Sequence, residues 1–314
     1  MITSTHAHRS ATFATMVFLL YPAFSPAQQS QPAGMSAQRN VVATVLPAYL
    51  ASVNLTDGVP DVSVRMLLDP ALGCPHSYSL TPADRRRLDS ATHVVAIGAG
   101  MEGFLDKLRR QLTAAKFITL SDSCVLRELP CGHAHDHDHA HAKNPHVWMS
   151  PREYLKMIEP LGRQLIDAGD ERSKKVAANQ AAYAKRIQAV AGEVDELAAK
   201  IAGKKVVAGE AVEYLLADLK LDIVTRVPGH EGEGESAAEL LAISNDIKKH
   251  NAVAIIVESG RRDRIAATLA KEHNITLITL DALTQTDQAI PAVDLYESAM
   301  RKNLAVLARD LCPR

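Results

Sequence analysis

Short apolar, β-branched runs alternate with helical segments through two stretches of this chain, and this alternation limits its fold more than any other feature. Because the runs are apolar along most of their length, both faces of each strand are expected to be covered, as in parallel sheets. The sequence therefore predicts an α/β fold of two lobes, each with a mainly parallel sheet flanked by helices. The predicted strands are Asn40–Val45, Ser63–Leu68, His93–Ile97, Phe117–Leu120, Val206–Ala208, Asp222–Thr225, Val253–Val257 and Thr276–Leu280.

One long amphipathic helix is predicted between the two stretches. Apolar residues recur there at spacings of three and four, and alanine and charged residues fill the other faces. About 25 helical residues make a rod of roughly 37 Å. We expect this rod to join the two lobes and hold them at a fixed separation, although an ordinary surface helix has the same pattern. The apolar stripe consists of Val176, Tyr183, Ile187, Val190, Val194, Leu197 and Ile201.

The first 27 residues have the pattern of a secretory signal peptide. Arg9 supplies a positive charge, residues 11–20 are mostly apolar, and Ser25–Ala27 forms a small-x-small cleavage site. The apolar run is short for a membrane span, and no cysteine follows it for lipid attachment. We therefore expect a periplasmic protein with a signal peptide at 1–27, an N-terminal lobe at 28–150, a linking region with the long helix at 151–202, and a C-terminal lobe at 203–314.

Charge and cysteine content narrow the function further. The formal net charge is −1, and no concentrated basic face of the kind that binds nucleic acid is evident. In an oxidising compartment four cysteines can form disulfides in three complete pairings, and the sequence leaves the choice open. Cys124 and Cys131 are close in sequence and form the favoured pair, which leaves Cys74 and Cys312.

A histidine-rich tract is the most unusual stretch of the chain. It is polar and of low complexity, so it predicts a mobile loop that gathers metal ions. His146, which follows the tract, stands between Pro145 and the apolar pair Val147 and Trp148, a context that predicts an ordered ligand. The tract histidines are His133, His135, His137, His139 and His141.

Four candidate metal ligands follow predicted strands. Ligands of open α/β sheets bind beyond the carboxyl ends of the strands, where His76 and His146 lie in one half and Glu210 and Asp281 in the other. Two imidazoles and two carboxylates suit a four-coordinate site, although each residue alone has an ordinary capping or surface role. A ligating imidazole also needs an acceptor for its second nitrogen; Glu258 and Glu213 are the candidates. His93, inside an apolar strand, is expected to be a core histidine.

These residues resemble the motifs of the metal-binding solute-binding proteins of bacterial zinc and manganese ABC importers. The family's Pro-His-x-Tyr segment is matched by Pro75–Tyr78, its Asn/Asp-Pro-His-x-Trp segment by Asn144–Trp148, and its Leu-Asp-x-Leu segment by Leu280–Leu283. Zinc members carry a His/Asp-rich loop before the second ligand, as this chain does. A helix that joins the lobes is also a family feature, and the likeness covers nearly the whole mature chain.

The third ligand departs from the family pattern. Zinc members have a histidine five residues before a tyrosine, and manganese members have a glutamate there. Counting five residues back from Tyr214 gives Gly209. The adjacent Glu210 becomes the match if one residue of the family pattern is deleted from the turn that follows it. Two histidines with two carboxylates resemble the manganese type, and the tract resembles the zinc type. A nitrogen-containing site binds Zn²⁺ more tightly than Mn²⁺, so we expect Zn²⁺, with Mn²⁺ as the alternative.

The resemblance implies high-affinity capture of zinc in the periplasm and delivery to an ABC permease of the inner membrane. It implies a monomer that performs no chemistry on a substrate and is therefore not an enzyme. A manganese importer component and a periplasmic zinc store or chaperone are the alternatives. A zinc hydrolase is disfavoured because it needs an open coordination position and a base, and the chain has no His-Glu-x-x-His motif.

Overall fold

The structure of the chain, a computed structural model, describes residues 1, 38–69, 78–129, 143–227, 237–259, 264–288 and 290–313. Residues Ser36–Arg314 belong to one compact unit. The predicted cleavage site at Ser25–Ala27 lies outside the described residues. In the part of the chain that is described, no helix combines the length and the apolar character that crossing a membrane requires.

The first sheet has four parallel strands in the order β2-β1-β3-β4 among the described residues. They are β1 (Arg39–Ala43), β2 (Val62–Met66), β3 (His93–Ala96) and β4 (Lys116–Thr119). The helices of this half are α1 (Leu46–Thr56), α2 (Pro82–Asp89) and α3 (Leu105–Arg109). All residues of the central strand β3 are buried, as expected for a parallel sheet covered on both faces.

The second sheet repeats this arrangement in the order β6-β5-β7-β8, also with parallel strands. They are β5 (Lys205–Ala208), β6 (Asp222–Arg226), β7 (Ala254–Glu258) and β8 (Thr276–Leu280). The helices are α6 (Glu213–Asp218), α7 (Ala237–His250), α8 (Arg264–His273) and α9 (Leu295–Leu311). The prediction of an α/β fold with two parallel sheets is therefore confirmed, and each predicted strand is present with its ends shifted by at most two residues.

Two helices connect the sheets, α4 (Pro151–Leu165) and α5 (Arg172–Ile201). Helix α5 has 30 residues, which corresponds to a length of about 45 Å. It packs against α1 of the first half and against α6 and α9 of the second. All the stripe residues predicted from the sequence are buried, because they are the face of α5 that these helices cover. The long helix is therefore confirmed, and it joins the lobes together with α4.

An aromatic cluster fills the region where α4, α5 and α9 meet. The rings of Tyr154 and Tyr296 are stacked with centroids 4.0 Å apart, and Tyr183 meets Tyr154 edge-on at 6.2 Å. The Tyr154 hydroxyl donates to the Pro47 carbonyl, and that of Tyr296 donates to the Trp148 carbonyl. One hydrophobic core runs through this cluster into both sheets. Bending between the lobes would therefore disrupt close packing.

The favoured disulfide is corrected by the structure. Cys124 and Cys312 are free thiols, so Cys124 is not paired with Cys131, which itself lies outside the described residues together with Cys74. The Cys124 thiol points inward, 3.8 Å from the Leu120 carbonyl oxygen and 3.6 Å from that of Glu153. Burial raises the pKa of this thiol to about 12, which keeps it protonated and poorly reactive.

His93 is confirmed as a core histidine, 3% exposed at the start of β3. Its Nδ1 lies 2.9 Å from the hydroxyl oxygen of Thr92. Burial lowers the pKa of the ring to about 4, and the positive charges of Arg39 and Lys116 add to the effect. The ring is therefore neutral in the folded protein at neutral pH.

We expect His93 to make stability depend on pH. The folded pKa of about 4 lies below the ordinary value of 6.5, so the unfolded chain takes up the proton first as the pH falls. This group should lower the free energy of unfolding by about 2 kcal/mol between pH 7 and pH 5. Urea unfolding at the two pH values measures the change. His93→Gln should lose about 2 kcal/mol less over the same interval, and an equal loss in both proteins would contradict the assignment.

Candidate metal centre

Asn144 fixes the orientation of His146. The Asn144 side-chain Oδ1 accepts from the His146 backbone N–H at 2.9 Å and lies 3.0 Å from Nδ1 of the ring. The amide nitrogen of Asn144 donates to the Glu210 carbonyl at 2.8 Å, which identifies Oδ1 as the acceptor atom. Because Oδ1 can only accept, Nδ1 carries the proton and the neutral ring has its lone pair on Nε2. This is the tautomer of an imidazole that binds metal through Nε2.

The residues that follow His146 attach it to the second half of the molecule. Val147–Met149 forms a short 3-10 turn, and the Trp148 indole N–H donates to the Ala282 carbonyl at 2.8 Å. The Trp148 and His146 rings are 5.2 Å apart and tilted by 53°. The Ser150 hydroxyl caps α4 and donates to Asp218 Oδ2 at 2.6 Å. His146 is therefore held by both halves at once and is only 5% exposed.

Glu210 lies beside His146. It begins the 3-10 turn that follows β5, and its Oε1 is 3.6 Å from His146 Nδ1. A Cβ added to Gly209 would meet Val257 of β7 at 3.4 Å, so a side chain at that position would start toward the neighbouring strand. Of the two adjacent positions left open by the family pattern, the structure brings Glu210 to His146. The carboxylate oxygen therefore approaches the protonated nitrogen, where it can orient the ring.

Asp281 directly follows β8, and its backbone is fixed by helix α9. The Asn303 side chain accepts from the Asp281 N–H and donates to the Asp281 carbonyl, both at 2.8 Å. Carboxylate Oδ1 accepts from the Leu283 N–H at 2.8 Å, and Leu283 has a positive φ of 55°. The carboxylate therefore closes the turn after β8 through one of its oxygens, and the adjoining Ala282 contacts Trp148.

The structure brings two of the four predicted ligands together, His146 and Glu210. Glu210 and Asp281 lie within two residues of the ends of β5 and β8, and His146 lies between β4 and α4. His76 and the tract histidines (His133, His135, His137, His139 and His141) lie outside the described residues. Among the residues that are described, no group of three or more His, Cys, Asp or Glu side chains is arranged to hold an ion. The four-ligand set therefore stays a prediction.

Glu213 has arginine neighbours. Its fully buried carboxylate accepts from Arg226 Nε at 2.5 Å and from Nη2 at 3.2 Å, and Arg127 Nε lies 3.8 Å away. Glu258 is half-buried at the end of β7 and is paired in register with Leu280.

The acceptor found for the His146 ring proton is the amide of Asn144. Sequence reasoning assigned it no such role, although an Asn two residues before a histidine is a familiar local hydrogen-bonding pattern.

Residues 41–310 match the family model described as zinc-uptake complex component A, periplasmic (ZnuA). The zinc-binding protein AdcA of Streptococcus pyogenes serotype M3 is 26% identical over 288 residues, which cover 85% of this chain and 55% of that protein. The chain thus spans about half the length of the curated relatives it matches.

Two solved structures have the same fold. The solute-binding protein FpvC from Pseudomonas aeruginosa, in complex with Mn²⁺, has a TM-score of 0.74 and 22% identity, with coverage of 87% of this chain and 98% of that one. Zn(II)-bound AdcA from Streptococcus pneumoniae has a TM-score of 0.68 and 25% identity, with coverage of 88% and 59%. In both cases the likeness covers most of this chain.

We expect Glu213→Gln to lower the free energy of unfolding by about 1–3 kcal/mol, because the fully buried carboxylate that Arg226 and Arg127 contact would be replaced by a neutral amide. Metal affinity should stay at the wild-type value, because the Glu213 carboxylate contacts these arginines and, within the described residues, no proposed ligand. Urea unfolding and a zinc titration measure the two quantities. Glu193→Gln, in a partly exposed pair with Arg301, is the control and should change stability by at most about 1 kcal/mol. Unchanged stability with weakened zinc binding would place Glu213 in the metal site instead.

Proposed function

Because the chain belongs to the ZnuA family of solute-binding proteins of ABC importers, we propose that it captures Zn²⁺ outside the cytoplasm and delivers it to an ABC permease for import. Proteins of this family are extracytoplasmic binding components and not enzymes. This confirms the expectation that the chain is not an enzyme. The observation that carries the proposal is the His146 ring, held in its Nε2-binding tautomer beside the Glu210 carboxylate.

The proposed ligands are His76, His146, Glu210 and Asp281. Support comes from their common position after strands of the two sheets, where open α/β sheets bind their ligands. Two lobes then contribute two ligands each. The hydrogen bond from Trp148 to the Ala282 carbonyl brings the segment of His146 next to the segment of Asp281, which supports a site formed between them.

Zinc is the proposed ion, and manganese is the alternative. The two carboxylates of the ligand set are compatible with Mn²⁺, but imidazole nitrogens favour Zn²⁺ in affinity. The histidine-rich tract supports zinc, since its five imidazoles can bind further zinc ions weakly. AdcA of Streptococcus pyogenes, which is similar over 85% of this chain, is named as zinc-binding.

The remaining parts of the proposal concern location and assembly. We propose that residues 1–27 are a cleaved signal peptide and that the mature protein is a periplasmic monomer. Its N-terminal lobe is assigned to residues 28–150, its linking region to 151–202 and its C-terminal lobe to 203–314. The permease in the inner membrane is the partner that receives the ion. The shared core between the sheets supports a small closure on binding.

Zinc titration of the mature protein tests the proposed site. We expect one tight site in the wild type, weakened in His76→Ala and in His146→Ala by more than the 10- to 100-fold typical of losing an outer-shell partner. Competition with a chelator of known affinity measures the change. His250→Ala, at the end of α7, is the control and should keep the wild-type affinity. Retention of the tight site in both ligand variants would contradict the assignment, and parallel titrations with Mn²⁺ decide between the two ions.

A variant of the tract separates its role from that of the tight site. Replacement of the five tract histidines by serine keeps the chain length and removes the imidazoles. We expect this variant to keep the tight site and to lose only the weaker additional zinc equivalents, because the tract supplies no ligand to the tight site. Calorimetric titration with excess zinc counts the equivalents. Loss of the tight site would show that the tract contributes directly to it.

A further inference from the structure

Tyr214 of helix α6 makes two hydrogen bonds to the segment that precedes His146. Its hydroxyl accepts from the Arg127 backbone N–H at 2.8 Å and donates to the Asn144 carbonyl, also at 2.8 Å. The side chain is 3% exposed, and burial raises the pKa of the phenol to about 12. The hydroxyl therefore keeps its proton at physiological pH and can act as donor and acceptor at once.

The two backbone groups that Tyr214 contacts belong to a short pair of antiparallel segments, 127–128 and 143–144, which we name the neck. The Asn144 N–H donates to the Arg127 carbonyl at 2.9 Å. Glu128 and Lys143 form an antiparallel bridge, and their side chains form an ion pair at 2.8 Å. The histidine-rich tract connects the two sides of the neck in sequence. Tyr214 thus attaches both sides to the C-terminal half.

The neck continues directly into the metal centre through Asn144. The backbone carbonyl of this residue accepts from Tyr214, while its side chain contacts the His146 backbone N–H and ring and donates to the Glu210 carbonyl. A displacement of the Asn144 backbone would therefore move the acceptor that sets the His146 tautomer. It would also break the contact with the turn that carries Glu210.

We propose that Tyr214 is a positioning residue of the metal site, whose hydroxyl holds the neck against the C-terminal half and thereby keeps His146 and Glu210 in register. The inference rests on the proposed function, because it assumes that these two residues bind the ion. Without the hydroxyl, Asn144 keeps its side-chain contacts but loses the anchor of its backbone. The imidazole then samples more orientations, and the ion leaves the site faster.

The test compares Tyr214→Phe with Tyr154→Phe in the full mature chain. Each variant removes one buried hydroxyl that donates to a backbone carbonyl, but Tyr154 bonds to Pro47 in the aromatic cluster and does not contact the neck. The measurements are zinc affinity by chelator competition, the rate of zinc release to excess chelator, the visible absorption of the Co²⁺-substituted site, and hydrogen exchange of the Arg127 amide in the metal-free protein.

We expect Tyr214→Phe to bind zinc about 10-fold more weakly, in the range of other outer-shell losses, mainly through faster release. Its Co²⁺ absorption should change in intensity or position, because the ligand geometry changes. The Arg127 amide, which loses its acceptor, should exchange faster than in the wild type. Tyr154→Phe should keep the wild-type affinity, release rate, Co²⁺ spectrum and Arg127 exchange.

Three results would overturn the inference. Wild-type affinity and Co²⁺ spectrum in Tyr214→Phe would show that the hydroxyl does not position the site, while the proposed function would stand. An equal loss of affinity in Tyr154→Phe would show that the effect is one of general stability. Absence of a tight zinc site in the wild type would refute the proposed function itself, and the inference with it. The metal-free exchange of the Arg127 amide tests the anchoring step independently of metal binding.

Discussion

The side chain of Asn144 makes the contacts on which the arrangement of the candidate centre depends. The side-chain oxygen of Asn144 accepts from the His146 backbone N–H and contacts Nδ1 of the ring, and its side-chain nitrogen donates to the Glu210 carbonyl. The Asn144 residue is fully buried, so loss of these hydrogen bonds would leave its polar atoms without water to replace the partner. A single residue therefore sets the ring tautomer and connects a ligand candidate of the first half to one of the second.

The joint between the halves extends this local arrangement. Trp148 and Ser150, which follow His146, donate to groups of the C-terminal half, and Tyr296 of α9 donates back to the Trp148 carbonyl. Behind them the stacked Tyr154 and Tyr296 rings belong to a core shared by both sheets. A site formed on such a joint is largely pre-organised, and binding then costs less conformational entropy than a hinged closure would. Specific capture of a small ion suits this design.

The resemblance of motifs found in the sequence is matched by the likeness of the whole chain to the ZnuA family over residues 41–310. The departure at the third ligand also has a structural counterpart. Gly209 borders Val257 of β7, and Glu210 is the residue whose carboxylate reaches His146. Gly209, the first residue after β5, is packed against β7 and has little freedom. Glu210, the next residue, begins the turn that faces the N-terminal half.

Some predictions from the sequence missed interactions that cross large sequence distances. The favoured Cys124–Cys131 pair rested on proximity along the chain, whereas the half-buried Cys124 thiol contacts the carbonyl of Glu153, 29 residues away. Glu213 is a candidate for the acceptor of a ligating imidazole, and the structure adds that its carboxylate contacts Arg226 and Arg127; its role at the site stays a prediction. Charge and spacing identify residues able to play a role, but they do not show which partner reaches them first.

The sequence by itself determined the strands, the long helix and the segments able to supply ligands, because hydrophobic period and turn residues act over a few neighbouring positions. It also determined that His93 would be buried, since the apolar run around it leaves no solvent-facing side. Only the tertiary structure decided that Tyr214 anchors the neck, 87 residues from Arg127, and that Asn144 orients His146. Those contacts depend on how two sheets that are distant in sequence pack together through α4, α5 and α9, and no local pattern records the geometry of that packing.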